Sequence, residues 1–239
     1  MPSNPVQIFW RQPWNAHARR TLADALDPMG LCLGELASQR LDVGTGTVGG
    51  LPVPECVFWG PAGAGWCCLH LTQGWDRAEE LALGLARVSG QPCLVMTDHD
   101  QEAWSLDLIE TGSPIRRFLS HDHLPPFNAP VEPLDPDTLS RRVEVPAERL
   151  AGYLRIQSLQ NPSPDKVHPQ DRFTLGEAWV RVDLLRTMGI AFAGPTESAL
   201  GRFCRILPKS PEAPESPETP QTQPKVQVQT APQSPWRWN

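Results

Sequence analysis

No apolar run in this chain approaches the roughly 18 residues of a membrane-spanning helix. Its beginning has no charged-then-apolar pattern of the kind that directs export. The expectation is therefore a cytoplasmic protein with no membrane partner. Positive charge is in short supply as well: the formal net charge is -6, which argues against broad nucleic-acid binding, because that requires Lys and Arg to neutralise phosphates. There is no C-x-x-C pair to anchor a tetrahedral metal site. The six cysteines (Cys32, Cys56, Cys67, Cys68, Cys93, Cys204) follow no regular spacing, so they read as buried free thiols rather than a disulfide framework. There is no G-x-S-x-G elbow and no Cys–His signature of a known nucleophile, and no cofactor is expected.

The chain does have enough length, 239 residues with 40% hydrophobic, to bury one sizeable core. It organises around the stretch from Trp66 to Ser120. Trp66 to Thr72 is short, apolar and closed by Gly74, and reads as a strand. Ala78, Leu81, Ala82, Leu85 and Val88 then recur at three- and four-residue spacing, which predicts a helix opened by Asp76 and stopped at Gly90. Gly84, at the edge of that stripe, predicts a close approach to the sheet. After Gly90 the period becomes two. Cys93–Thr97 is a strand, Asp98–Glu102 a polar turn, and Trp104, Leu106 and Leu108 alternate with Ser105 and Asp107 as in a strand with one wet face. A turn at Thr111–Pro114 leads to a last strand over 115–119. Links this short predict antiparallel pairing.

The run that carries Leu85, Gly90, Asp100, Trp104, Leu106, Leu108, Gly112, Arg117, Phe118 and Ser120 resembles a stretch shared by a group of uncharacterised bacterial proteins. There, too, an apolar strand leads to an acidic turn, a Trp/Tyr-rich strand, a glycine turn and an Arg-Phe-x-Ser ending. The resemblance covers about residues 85–120. It implies a fold unit and a bacterial setting, and no catalytic activity.

Elsewhere, Val6–Trp10 reads as a short strand or an anchored arm. Asn15 is placed to cap a helix through Leu26, with Ala18, Leu22, Ala25 and Leu26 on one side. Residues 31–43 fit a strand or a short helix. Gly44–Gly49 matches G-x-G-x-x-G, but Pro52 and Pro54 follow where a phosphate-binding helix should start, so a glycine loop or hairpin is expected and no nucleotide. A strand is expected at Val57–Trp59. Beyond Ser120, prolines 125, 126, 130, 133 and 136 mark a loop. Helices are expected over Ala147–Ser158, over Thr174–Gly189 behind a Thr174/Glu177 capping box, and after Thr196 with Leu200, Phe203 and Leu207 packing. The globular α/β (α+β) domain, an antiparallel-rich sheet covered by helices, is expected over 1–207. From Pro208 to Asn239 the composition turns to Pro, Ser, Glu and Gln, which predicts a disordered tail.

Two loops carry candidate chemistry. In Asp98-His99-Asp100, two carboxylates flank an imidazole, as a metal or an acid–base step would use. In His121-Asp122-His123 the two histidines point the same way on extended chain and could ligate zinc. Cys67, Cys68, His70 and Cys93 read as strand core. Trp236 and Trp238, at the end of the tail, are candidate anchors for a protein partner. The expected function is that of a non-enzymatic protein acting through protein contacts, in part through this tail. The alternative is a metal-dependent enzyme or metal-binding protein built on Asp98–Asp100 and His121–His123. A nucleic-acid contact through Arg11, Arg19, Arg20, Arg141 and Arg142 is disfavoured by the net charge.

Overall fold

The computed structural model describes residues 6–13, 15–42, 47–48, 51–52, 56–63, 65–71, 77–99, 102–122, 131–158, 160–191 and 198–209. Residues through Lys209 form one compact unit. The tail expected from Pro208 starts later: Pro208 ends the last strand and the Lys209 amide donates to the Gly30 carbonyl at 2.8 Å, while residues 210–239, with Trp236 and Trp238, lie outside the described residues.

Val6–Arg11 is a strand (β1), and it lies well inside the sheet rather than forming an arm. Ile8, Phe9 and Trp10 are all fully buried. An unbroken apolar run has no wet face to offer, so it needs cover on both sides. Helix α1, Ala16–Leu26, follows. Asn15 caps it, its side chain accepting hydrogen bonds from the amides of His17 and Ala18 at 2.9 and 3.1 Å. The chain then runs through β2 (Leu31–Asp42), the two-residue strands β3 (Thr47–Val48) and β4 (Leu51–Pro52), β5 (Cys56–Pro61) and β6 (Trp66–Leu71). Leu51–Pro52 is extended and pairs with β3, so no helix starts behind the glycine run. Helix α2, Ala78–Ser89, ends on left-handed Gly90 and leads to β7 (Cys93–His99), β8 (Ala103–Ile109) and β9 (Ile115–Leu119).

Among the described residues the sheet has eleven strands in the order β10-β9-β8-β7-β1-β6-β5-β11-β2-β3-β4, with β10 at Val131–Pro133 and β11 at Ser198–Pro208. Every pairing is antiparallel except β9 with β10. The sheet is thus mostly antiparallel with helical cover, the α/β class the sequence predicts. Two crossovers organise it. Strands β6 and β7 both run antiparallel to β1, so they are parallel to each other, joined by α2. Counting reversals through β6, β5 and β11, β1 and β2 are parallel too, joined by α1. The two split β-α-β units interleave, with both helices on one face. They meet at Gly84, where an added Cβ would stand 3.1 Å from the Ala25 carbonyl oxygen. The close approach is therefore to α1, not to the sheet.

Side-chain alternation sends Ile8, Trp10, Leu69, Val95 and Ile109 to the α1–α2 face, against Leu22, Leu26, Leu81 and Leu85. Phe9, Cys68, Leu94, Met96, Trp104, Leu106, Leu108 and Phe118 face the other way. They are covered by α3 (Pro136–Val143), the single turn α4 (Ala147–Leu150) and α5 (Val180–Thr187). Both faces of β8 are consequently buried, and the expected wet face is dry. Ser105 is 2% and Asp107 3% exposed.

Three further expectations are corrected. The proline-marked stretch before residue 143 is not all loop: it contains β10 and α3, with Asp135 as N-cap and Pro136 in the first turn, where its missing N–H costs nothing. Helix stops at Leu150 instead of reaching Ser158. Gly152 packs against Val167, and Gln157 bridges to the end of β9, its amide donating to the Ser120 carbonyl at 2.7 Å. The segment behind residue 196 is β11 and not a helix, sandwiched between β5 and β2. The spacing of Leu200, Phe203 and Leu207 fits a helix, but two neighbouring strands offering ladders on both sides override it.

Trp104, 2% exposed, sits against Phe118 at a centroid distance of 5.1 Å, on the face that α3–α5 cover. Trp104→Ala is expected to cost about 3–5 kcal/mol in denaturant unfolding. Unchanged stability would place the ring outside the core.

Candidate functional site

One buried polar group lies on the α5 side of the sheet, where β1, β6 and β7 present Gln7, His70 and Asp98. Asp98 and His99 belong to strand β7, not to a turn, because the pairing with β8 continues to His99 and Ala103. Asp98 is 2% exposed and accepts a hydrogen bond from Arg181 Nη2 on α5 at 2.5 Å. Arg181 also donates from Nη1 to the Ala178 carbonyl at 2.6 Å, and its guanidinium lies 4.3 Å from the centroid of the Trp179 ring. Burial pulls Arg181 below its ordinary pKa, and Asp98 opposes that shift.

Beside this pair, Gln7 Nε2 donates to His70 Nδ1 at 3.4 Å. Both side chains are 1% exposed, and His70 Nε2 and Gln7 Oε1 find no partner among the described residues. Desolvation, with Arg181 adding its charge, pulls the His70 imidazole from 6.5 to about 4. It is neutral at ordinary pH.

A second ionic group lies on the opposite face. Arg117 of β9 holds Asp107 of β8 through two bonds of 2.5 Å and reaches Glu79 of α2 at 2.5 Å. Burial acts to lower Arg117, but Asp107 and Glu79 outweigh it and hold it above its ordinary value. This group ties β8 and β9 to α2 and explains why Asp107 of β8 is buried.

A cavity of about 330 Å³ opens at the end of β8 and β9, lined by Glu102, His121, Pro162, Gly176, Glu177, Ala178 and Trp179. His121 and Ala178 are buried, whereas Glu102, Pro162 and Glu177 are exposed, so the former make its floor and the latter its mouth. His121 Nδ1 lies 2.8 Å from Ser120 Oγ, which itself accepts from the Trp104 amide at 2.8 Å. The Thr174/Glu177 box is half made. Glu177 accepts from the Thr174 amide at 2.7 Å and its hydroxyl at 2.9 Å, but the amides of Leu175 and Gly176 are taken by the carbonyls of Asp165 and Ser163. Helix therefore starts only at Val180, and the segment before it becomes the cavity wall. At Gly176 an added Cβ would stand 2.6 Å from Pro162 Cβ.

The two predicted loops do not form one site. Strand β8 lies between Asp98 and the residues next to Ser120, which separates them by two strand spacings, about 10 Å. Asp98 is taken by Arg181, and His99 Nε2 lies 3.1 Å from Ser105 Oγ. Asp100 and His123 lie outside the described residues. Among the described residues no group of three His, Cys, Asp or Glu is placed to hold a metal ion, and no helix is long and apolar enough to cross a membrane. Cys32, Cys67, Cys68 and Cys93 are free, and burial pushes the Cys67 thiol up to about 12. Arg11 and Arg142 are each paired with a glutamate, Glu144 and Glu110. Sequence reasoning missed Arg181. Its signal was an arginine three residues after Ala178 and four before Leu185, on what must be a buried face.

No protein family, no characterised protein and no solved structure matches the chain.

The His70 environment has a pH consequence. Its folded pKa lies below its unfolded value, so between 6.5 and about 4 the unfolded chain binds the extra proton. Stability is therefore full above the unfolded value and falls as pH drops through that window. Between about pH 7.5 and 4.5 the loss from this residue is expected to be about 2–3 kcal/mol. Denaturant midpoints of wild type and His70→Gln at both pH values check this. An identical acid loss in the two proteins would contradict it.

Proposed function

We propose that this chain is a non-enzymatic cytoplasmic protein that works through protein contacts, and that the cavity at the end of β8 and β9 is a contact point. The observation that carries this reading is how three of the acid–base groups at this end are used. Asp98 is held by Arg181, Glu177 by Thr174 and His121 by Ser120. Side chains fixed in this way build and stiffen a wall. A general acid or base instead needs freedom to exchange its proton with a substrate. Trp179, half-buried in that wall, is the residue type that most often anchors a protein interface. The free, buried thiols of Cys67, Cys68 and Cys93 suit a reducing compartment. Trp236 and Trp238 of the tail are, in this reading, a second and separate anchor for a protein partner.

The test starts from a partner captured with the full chain, identified, purified and titrated back. Trp179→Ala is expected to weaken its binding by about ten-fold or more, the effect of an interface anchor, while unfolding stays cooperative. Removing residues 210–239 reports separately on the tail. Binding that is indifferent to Trp179→Ala would place the contact elsewhere and contradict the assignment of the cavity.

A further inference from the structure

The chemistry of the cavity specifies what enters it. We infer that it accepts the basic side chain of a partner protein, a lysine or an arginine. This rests on the reading of the cavity as a partner contact and deepens it.

Three features converge. First, size: about 330 Å³ is at the small end of the roughly 300–1,000 Å³ typical of ligand sites, suited to one side chain rather than to a helix or an extended peptide. Second, charge: Glu102 and Glu177 both line the cavity, and none of its described lining residues is Lys or Arg. Arg181, which stacks on Trp179, already faces Asp98. Third, the apolar part: Pro162, Ala178 and Trp179 give the cavity a non-polar lining. Arg181 covers one face of the Trp179 indole and Phe173 lies beside it with centroids 6.5 Å apart, so the ring is fixed in place. Lys and Arg pair an apolar stem with a charged end, and this cavity pairs an apolar wall with two carboxylates. An acidic or neutral polar side chain would match one half of it at most. The peptide-borne cation is preferred to a free amine because a single small cavity with two exposed carboxylates offers little affinity alone. A partner surface around it supplies the remainder and holds the side chain in place.

The test uses the full chain and four probes: blocked tripeptides with central lysine, arginine or norleucine, and n-butylammonium as a free amine. Binding is followed by NMR at the Trp179 indole N–H and the Gly176 amide. The lysine and arginine peptides are expected to saturate, with shifts centred on these two groups and weakening as salt rises. Norleucine, the uncharged counterpart, is expected to bind at least about ten-fold more weakly, and so is n-butylammonium. Glu102→Gln, at an exposed position that leaves the core untouched, should remove most of the preference for lysine over norleucine. Equal binding of norleucine, loss of nothing in Glu102→Gln, or shifts centred away from the cavity overturns the inference. Butylammonium binding as tightly as the peptides overturns the peptide-borne source. Should the cations fail while Trp179→Ala still weakens the purified partner, the contact stands and its basic anchor falls. Should the cations bind while the partner ignores Trp179→Ala, the contact falls instead.

Discussion

Taking Asp98 and Arg181 out of water costs several kcal/mol for each ion, and only close geometry with additional hydrogen bonds offsets it. The layer that covers the sheet on this side is arranged around that requirement. Asp98 sits on β7 at 2% exposure and cannot reach solvent. Its counter-charge must come from the covering layer, and it comes from α5. The same guanidinium binds the Ala178 carbonyl and stacks on Trp179, so one side chain fixes the helix, the turn before it and the ring that lines the cavity. The hydrophobic contacts of Val182, Leu184 and Leu185 give the layer its stabilisation, but they are non-directional. The ion pair selects one seating of α5 among the many that would bury the same apolar area.

The two faces of the sheet solve the same problem with different partners. On the α1–α2 face the buried carboxylate is Asp107, and its cation comes from the neighbouring strand, Arg117, with Glu79 of α2 as a further acceptor. There the ionic group ties sheet to helix from the sheet side. On the α5 face the cation comes from the helix. His70 meets burial differently, by staying uncharged. It lies next to an arginine whose charge is already matched by one carboxylate, so a second positive charge has no counter-ion, and the imidazole stays neutral. A structural role for the neutral ring follows, and with it the acid sensitivity of this side of the molecule.

The parts legible in the sequence were those whose partners are close along the chain. Asn15 and the stripe of α1, the stripe of α2 from Ala78 to Leu85 with its Gly90 stop, and the alternation of β7 to β9 could be read because capping, amphipathicity and short turns are local, although Val88, expected on the α2 stripe, is exposed. Strand β11 could not. Its place between β5 and β2 depends on strands well over a hundred residues earlier, and its own spacing suggested a helix. Residues 152–158 and 174–179 were read as helical from apolar spacing and a capping box, yet backbone bonds to residues 163 and 165 and the bridge of Gln157 to Ser120 decide their course. For the site, Asp98 and His121 were singled out as exposed loop residues. They are buried, because the ladder of β7 runs on through His99 and because Gln157 closes over the end of β9. Neither fact is written in local spacing. Arg181 was the one signal available and unused: an arginine on an apolar stripe implies a buried acid somewhere else in the chain.

The central claim is that α5 is keyed to the sheet by the pairing of Asp98 with Arg181, over and above apolar burial. A double-mutant cycle in denaturant unfolding measures it most directly, with Asp98→Asn, Arg181→Met and the combined variant. Each single change leaves one buried charge without its partner and is predicted to cost about 3–5 kcal/mol. The double variant is predicted to cost less than the sum by about 2 kcal/mol or more. Additive single effects would show that the two charges do not depend on each other, and that α5 is seated by its apolar contacts alone.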